Sequence, residues 1–168
     1  MARKHLFNYF VVGSFVLFLS LPGMAVASEY KFTSRKACQH GKPKCVKFVI
    51  KEMQRRYKPL AKQCDPDAVF ALNYLRTTEI FLQTLDEIGY NDLAAVVRED
   101  ALFAGYYFRA DDAYHSGRGD VPLAWKITFD AAQNRSVSGS GNLALGINAH
   151  IQRDLPFVLT SFTCKVIR

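Results

Sequence analysis

From Pro43 onward, apolar residues recur mostly at helical spacing, and almost nowhere with the alternation of a half-buried strand. Pro43 opens the first predicted helix, in which Val46, Val49, Ile50, Met53, Tyr57 and Leu60 share one side. Lys44, Lys47, Lys51, Arg55, Lys58 and Lys62 take the other side, and Pro59 is expected to kink or end the helix. Asp65-Pro66 starts a second helix that runs to about Ile88 and stops at Gly89. Its first half is apolar nearly all round, as in a central helix. Asn91 caps a third helix to about Tyr114, with Leu93, Val96, Val97, Ala101, Phe103, Ala104, Tyr107 and Phe108 on its apolar arc. Pro122 opens a shorter helix through Gln133, with Trp125, Phe129 and Ala132 as core residues. The Ser- and Gly-rich stretch 134–141 reads as a flexible loop. Asn142 caps the fifth helix, which Pro156 is expected to kink or stop. The pattern predicts an all-α, helical-bundle-like single domain of about five helices over 43–162, followed by a tail at 163–168.

Polar residues interrupt the apolar faces at two places. At 100° per residue, Leu143, Ala144, Ile147, Ile151 and Leu155 form one arc; Asp154 falls inside it, and His150 and Asn148 lie on its edges. In the third helix Asp100, Asp111 and His115 fall within the apolar arc. His150 with Asp154, and Asp111 with His115, are each four apart and therefore neighbours on a helix surface. A carboxylate on a buried face is costly unless it is paired, hydrogen-bonded or metal-bound. Two helices thus each carry an Asp/His pair toward a core, with Arg76, Tyr107 and Asn148 as supporting candidates.

The first residues carry a different signal. Arg3, Lys4 and His5 precede a mainly apolar run over 6–21, then Pro22-Gly23 and Ala25-Val26-Ala27. That is the pattern of a secretory signal peptide over 1–27, predicting export to the periplasm or exterior without a membrane anchor after processing. Cleavage after Ala27 leaves 141 of the 168 residues, enough for one domain. Residues 28–42 read as a leader tied down by a disulfide. Export permits disulfides, and Cys38 and Cys45 flank a short Gly41- and Pro43-containing turn where they can meet. Cys64 and Cys164 are left unassigned. The formal charge of +7, or +5 without Arg3 and Lys4, favours acidic partners only through the long-range field. The basic stripe over 44–62 could touch an anionic surface weakly; it reads first as a solvated face, and no nucleic-acid-binding motif accompanies it. Arg118-Gly119-Asp120 matches a tripeptide that adhesion receptors bind, but so short a match is common by chance.

Imidazole and carboxylate at one-turn spacing on facing helices is how bundles build metal sites. The candidate ligands are Asp100, Asp111, His115, His150 and Asp154, a mixture that suits zinc, iron or manganese. The leading functional expectation is metal-dependent hydrolysis with His150 and Asp154 as the catalytic pair. A metal-free version has Asp154 orienting His150 as general acid or base; no Ser or Cys is placed as a nucleophile. Against these stand a non-catalytic secreted binding protein, and a purely structural polar network.

The run Leu143-Ala144-Leu145-Gly146-Ile147-Asn148-Ala149-His150-Ile151-Gln152-Arg153-Asp154-Leu155-Pro156 resembles the signature of an uncharacterised bacterial family, domain of unknown function 5995. The stretches Cys38-Gln39-His40-Gly41, Ala68-Val69-Phe70-Ala71-Leu72, Leu75-Arg76-Thr77-Thr78-Glu79 and Val121-Pro122-Leu123-Ala124-Trp125 are similar to it as well. The resemblance covers roughly 38–159 and implies a mainly helical domain with no established activity. It also implies a further Asp- and His-containing helical segment after the motif. Residues 160–168 do not look like that segment, so a C-terminally truncated, inactive family member is a third expectation.

Overall fold

The computed structural model describes residues 33–166, and all of its regular structure there is helical. The expected signal peptide lies outside the described residues, as does the side chain of Cys164. The helices are α1 (Lys36–Gln39), α2 (Lys44–Lys62), α3 (Ala68–Thr84), α4 (Leu93–Ser116), α5 (Leu123–Gln133) and α6 (Gly139–Asn148). A π-helical segment, Ala149–Asp154, then runs directly into α7 (Leu155–Val166). Among the described residues no helix is long and apolar enough to cross a membrane.

Helix ends follow local chemistry, sometimes a few residues from where the sequence pattern put them. The cap of α4 is Asp92 rather than Asn91: its side chain accepts from the Ala95 amide at 2.8 Å. Gly117 ends α4 in the left-handed region, φ 64°. Asp65 Oδ1 accepts from the Asp67 amide, so the α3 helix proper starts at Ala68, and it ends at Thr84, short of Gly89. The Ser138 side chain caps α6 by accepting from Gly141, which puts Asn142 inside the helix and buries it. Neither proline ends its helix: α2 continues past Pro59 to Lys62, and Pro156 lies within a continuous helical run, just after the π-helical segment, where it has no amide to give to the preceding turn.

The core is built where α2, α3, α4 and α5 meet. Val46, Val49, Val97, Phe108 and Trp125 are fully buried there. The expected Cys38–Cys45 disulfide is present, with Cα atoms 4.7 Å apart, and ties the leader to the start of α2. Glycine sets two close approaches. A Cβ on Gly41 would lie 2.1 Å from the Ala94 carbonyl oxygen, and one on Gly146 would lie 2.4 Å from the Phe70 ring. Gly146 therefore lets α6 settle directly on α3.

The expected apolar arc of the fifth helix is only partly the buried one: Leu143 packs on the core and Asp154 is buried, but Ala144, Ile147 and Ile151 are exposed. Ile147 and Ile151 are each 42% exposed, whereas Gly146, Ala149, His150, Asp154 and Val158 face inward. Gly146, seated on Phe70, sets the rotation of α6 and turns Ile147 outward, and the π-helical segment that follows shifts the register further. Its wider i→i+5 turn adds a residue, so Ala149 and Asp154, five apart, both point into the core, and a wheel drawn at 100° per residue loses register.

Candidate functional site

Asp154 is completely buried, and all its hydrogen-bond donors in the structure are side chains. Trp125 Nε1 donates to Oδ2 at 2.9 Å from α5. His150 Nδ1, one turn back in the π-helical segment, meets the same oxygen at 2.9 Å. Arg153 donates to Oδ1 at 2.7 Å. With Asp154 accepting, His150 carries its proton on Nδ1 and turns the lone pair of Nε2 away from the carboxylate. Burial lowers the His150 pKa, and the Asp154 hydrogen bond and charge only partly oppose that. The imidazole is thus neutral near pH 7.

Aromatic rings enclose it. Phe103 of α4 stacks on the imidazole, 3.5 Å between centroids and 6° between planes. Tyr74 packs against it at 4.5 Å, with Phe70, Trp125 and Tyr107 at 5.9, 5.9 and 6.3 Å. His150 Nε2 in this cage, the Tyr74 hydroxyl and Asp100 Oδ2 are each buried without a hydrogen-bond partner among the described residues. Asp100 lies one turn before Phe103 on α4, and its charge helps raise the Tyr74 pKa, behind the effect of burial. Burial, reinforced by Glu99, lifts the Asp100 pKa to about 7. Three buried polar groups, on α3, α4 and the π-helical segment, thus each keep unmet hydrogen-bonding capacity.

The second Asp/His pair lies elsewhere. Asp100 and Asp111 are eleven residues apart on α4, about 16 Å along its axis, so one ion cannot reach both. Asp111 pairs with the buried Arg56, which also pairs with Glu52 and Asp112. His115 sits between Asp111 Oδ1 at 3.2 Å and Asp67 Oδ2 at 3.3 Å. The hydrogen bond to Asp111, then that to Asp67, raises its pKa to about 10 against a lowering by burial. Gln133 donates to the same Asp67 oxygen at 2.8 Å. This charged cluster joins α2, α4 and α5 to the start of α3.

The five expected ligands thus do not converge. Among the described residues no three His, Cys, Asp or Glu side chains gather where they could hold a metal ion. Of the supporting candidates, Tyr107 is in the aromatic cage, but Arg76 is exposed and pairs with Glu79 at 2.5 Å, and Asn148 is exposed. Sequence reasoning missed Arg56, Tyr74, Phe103 and the Trp125 N–H. Arg56 was detectable: it follows Val49, Ile50 and Met53 at helical spacing on the apolar side of α2. The others were legible only as core aromatics.

No curated protein and no solved structure matches the chain. The signature resemblance is matched by a family model over residues 46–166, most of the described structure and all of the residues around His150. The chain belongs to that group, described as a family of unknown function, DUF5995.

Proposed function

We propose that this protein is exported and is a hydrolase whose reactive group is His150, acting as a general base held by Asp154. The observation that supports this reading is the unpartnered, buried Nε2 of a neutral histidine whose other nitrogen is fixed to a fully buried carboxylate. In the proposed step Nε2 takes a proton from a water molecule as that water attacks a carbonyl. Asp154 stabilises the imidazolium that results, and the proton then passes to the leaving group. Phe103 covers the imidazole face, so substrate enters by displacing that ring.

A second reading, metal-dependent hydrolysis, is supported by the buried, unpartnered Asp100 Oδ2 and Tyr74 hydroxyl, the Asp100 charge being felt at Tyr74. In it His150 Nε2 and Asp100 hold zinc, iron or manganese, and Asp154 orients the histidine from behind rather than binding the ion.

A panel of nitrophenyl esters, assayed with wild type, His150→Ala and Asp154→Asn, tests the first reading. The expected loss is about 10²- to 10⁴-fold in either variant, the range of general-base assistance. Wild-type hydrolysis that survives His150→Ala unchanged sinks the dyad reading. Elemental analysis separates the two: one transition metal per chain, lost in both His150→Ala and Asp100→Asn, moves the conclusion to the metal site.

A further inference from the structure

Tyr106 lies one turn beyond Phe103 on α4, and its ring carries two arginines. Arg109, a turn further along α4, folds back so that its guanidinium carbon is 4.4 Å from the ring centroid. Arg153, from the π-helical segment, comes within 5.4 Å of the same centroid and 4.8 Å of the Phe157 ring. Phe157, on α7, is 51% exposed, and its ring is 6.1 Å from that of Tyr106. Two links join this patch to the His150 site. Phe103, the ring that covers His150, is the preceding turn of the same helix, and Arg153 Nη1 donates to Asp154 Oδ1.

The charges of the patch do not balance. Arg153 is matched by Asp154, with which it pairs at 2.7 Å. Arg109 forms no ion pair among the described residues, although it is partly buried. Burial lowers its pKa, the charges of Tyr106 and Asp154 oppose that, and Arg153 adds to it. A guanidinium remains protonated under such a shift, so one positive charge is left over. The Tyr106 ring attracts both cations without neutralising either. Two like charges at one ring repel, and an anion shared between them relieves the repulsion. Arg153 has capacity for it: its side chain is 29% exposed, and a guanidinium has five N–H donors, of which Asp154 takes one edge.

We propose that Arg109 and Arg153 grip a carboxylate of the substrate, while Tyr106 and Phe157 carry the apolar body attached to it. This names the substrate class of the hydrolysis proposed above, an ester that bears a separate carboxylate, and it rests on that reading. A guanidinium fork matches a planar carboxylate with two parallel hydrogen bonds. One spare positive charge suits a monoanion better than a phosphate dianion. A ligand held here lies beside Phe103, the ring that has to move before a carbonyl reaches His150 Nε2.

The test reads binding apart from turnover. Trp125, the one tryptophan of the chain, donates to Asp154, the acceptor that Arg153 shares, so its indole N–H signal in NMR reports the patch. Benzoate, neutral benzamide and phenyl phosphate are each titrated into the full-length chain. Benzoate should shift the signal saturably. Arg109→Gln and Arg153→Gln should each weaken it at least about ten-fold, the effect of one lost charge-assisted hydrogen bond, and Arg109→Lys should restore much of the affinity. Benzamide should bind more weakly and without dependence on Arg109. No saturable response to benzoate, equal responses to benzoate and benzamide, tighter binding of phenyl phosphate, or an unchanged midpoint in Arg109→Gln overturns the proposal. Turnover is read separately, with 4-nitrophenyl hydrogen glutarate against neutral 4-nitrophenyl butyrate. Preference for the glutarate ester is expected, and His150-dependent hydrolysis without that preference overturns the substrate assignment. An arginine-dependent benzoate response with neither ester hydrolysed supports the carboxylate site and sinks only the hydrolase reading.

Discussion

Replacing Asp154 tests the site most directly, because the carboxylate is both an orienting group and a buried structural acceptor. Asp154→Ala removes the acceptor of three donors. Arg153 is partly exposed and can turn to water, but Trp125 Nε1–H and His150 Nδ1–H stay buried with nothing to receive them. Each stranded donor costs about 1–3 kcal/mol, so the variant should lose about 4 kcal/mol. Set against a total of about 5–15 kcal/mol for a domain, that is a large fraction. Asp154→Asn keeps the shape. Its amide oxygen can take the Oδ2 position and accept from both Trp125 and His150, while its NH₂ faces Arg153, which swings away. The loss should then be about 1 kcal/mol, mainly the weaker acceptor. Trp125 is the only tryptophan in the chain, so its emission reports the site without labelling. Equilibrium urea unfolding of the three proteins should give equal slopes, midpoints ordered wild type, Asn, Ala, and a shifted native emission in the Ala variant alone. If Ala and Asn agree within about 0.5 kcal/mol, stranded donors are not what Asp154 prevents, and the proposed orientation of His150 loses its basis.

The two histidines should give opposite pH limbs. His150 has a folded pKa below the unfolded value of 6.5, so its contribution is complete above pH 6.5 and is lost as pH falls through the folded value. His115 is raised to about 10, so its contribution is complete below pH 6.5 and is lost as pH rises through 10. Melting temperatures across pH should show His150→Gln flattening the acid limb and His115→Gln the alkaline one; a swapped assignment refutes both. Phe103→Ala should raise the His150 pKa toward 6.5 by hydrating the ring, as read by NMR titration, and an unchanged value refutes the burial cause. Gly146→Ala should cost about 1–3 kcal/mol by driving a methyl into Phe70, a loss that Phe70→Leu should partly relieve; additive losses in the double variant contradict the contact. Removing the Cys38–Cys45 bridge, which spans seven positions, should cost about 2.4 kcal/mol by urea unfolding, and a loss under about 0.5 kcal/mol argues against restraint of the unfolded chain.

The helical class and the disulfide were legible because both depend on local spacing. The apolar positions of α2 and α4 repeat at 3.6 residues and are buried largely as expected, and seven positions around a turn bring two cysteines together. The inward direction of His150 and Asp154 was legible for a less secure reason. The wheel that put Asp154 inside also put Ile147 and Ile151 inside, and they face out. A π-turn depends on tertiary packing, and nothing in the residue pattern marks an i→i+5 bond in advance. That one ion could not take all five expected ligands had a visible warning: eleven residues of α4 separate Asp100 from Asp111. The aromatic cage was hidden because Phe103 and Tyr74 read the same as any core ring until three helices bring them onto one imidazole.

One sequence motif, Asp and His four apart on a helix, therefore gives two chemically opposite sites in this chain. What decides between them is not the pair but what surrounds it. His115 has a second carboxylate, Asp67, on its other nitrogen and is 39% exposed, so its charged form is favoured twice over, which outweighs the opposing effect of its partial burial. An imidazole held protonated at neutral pH has no lone pair to offer, and its natural role is to join helices as a cation between two anions. His150 has one carboxylate, already shared with Trp125 and Arg153, and a stack of aromatic faces that penalises charge. It keeps a lone pair on Nε2 at neutral pH, as general-base or metal-binding chemistry requires. The same comparison predicts how to exchange the roles. Opening the cage at Phe103 moves His150 toward the charged state, and Asp67→Asn removes one of the two anions that hold His115 protonated and lowers its pKa.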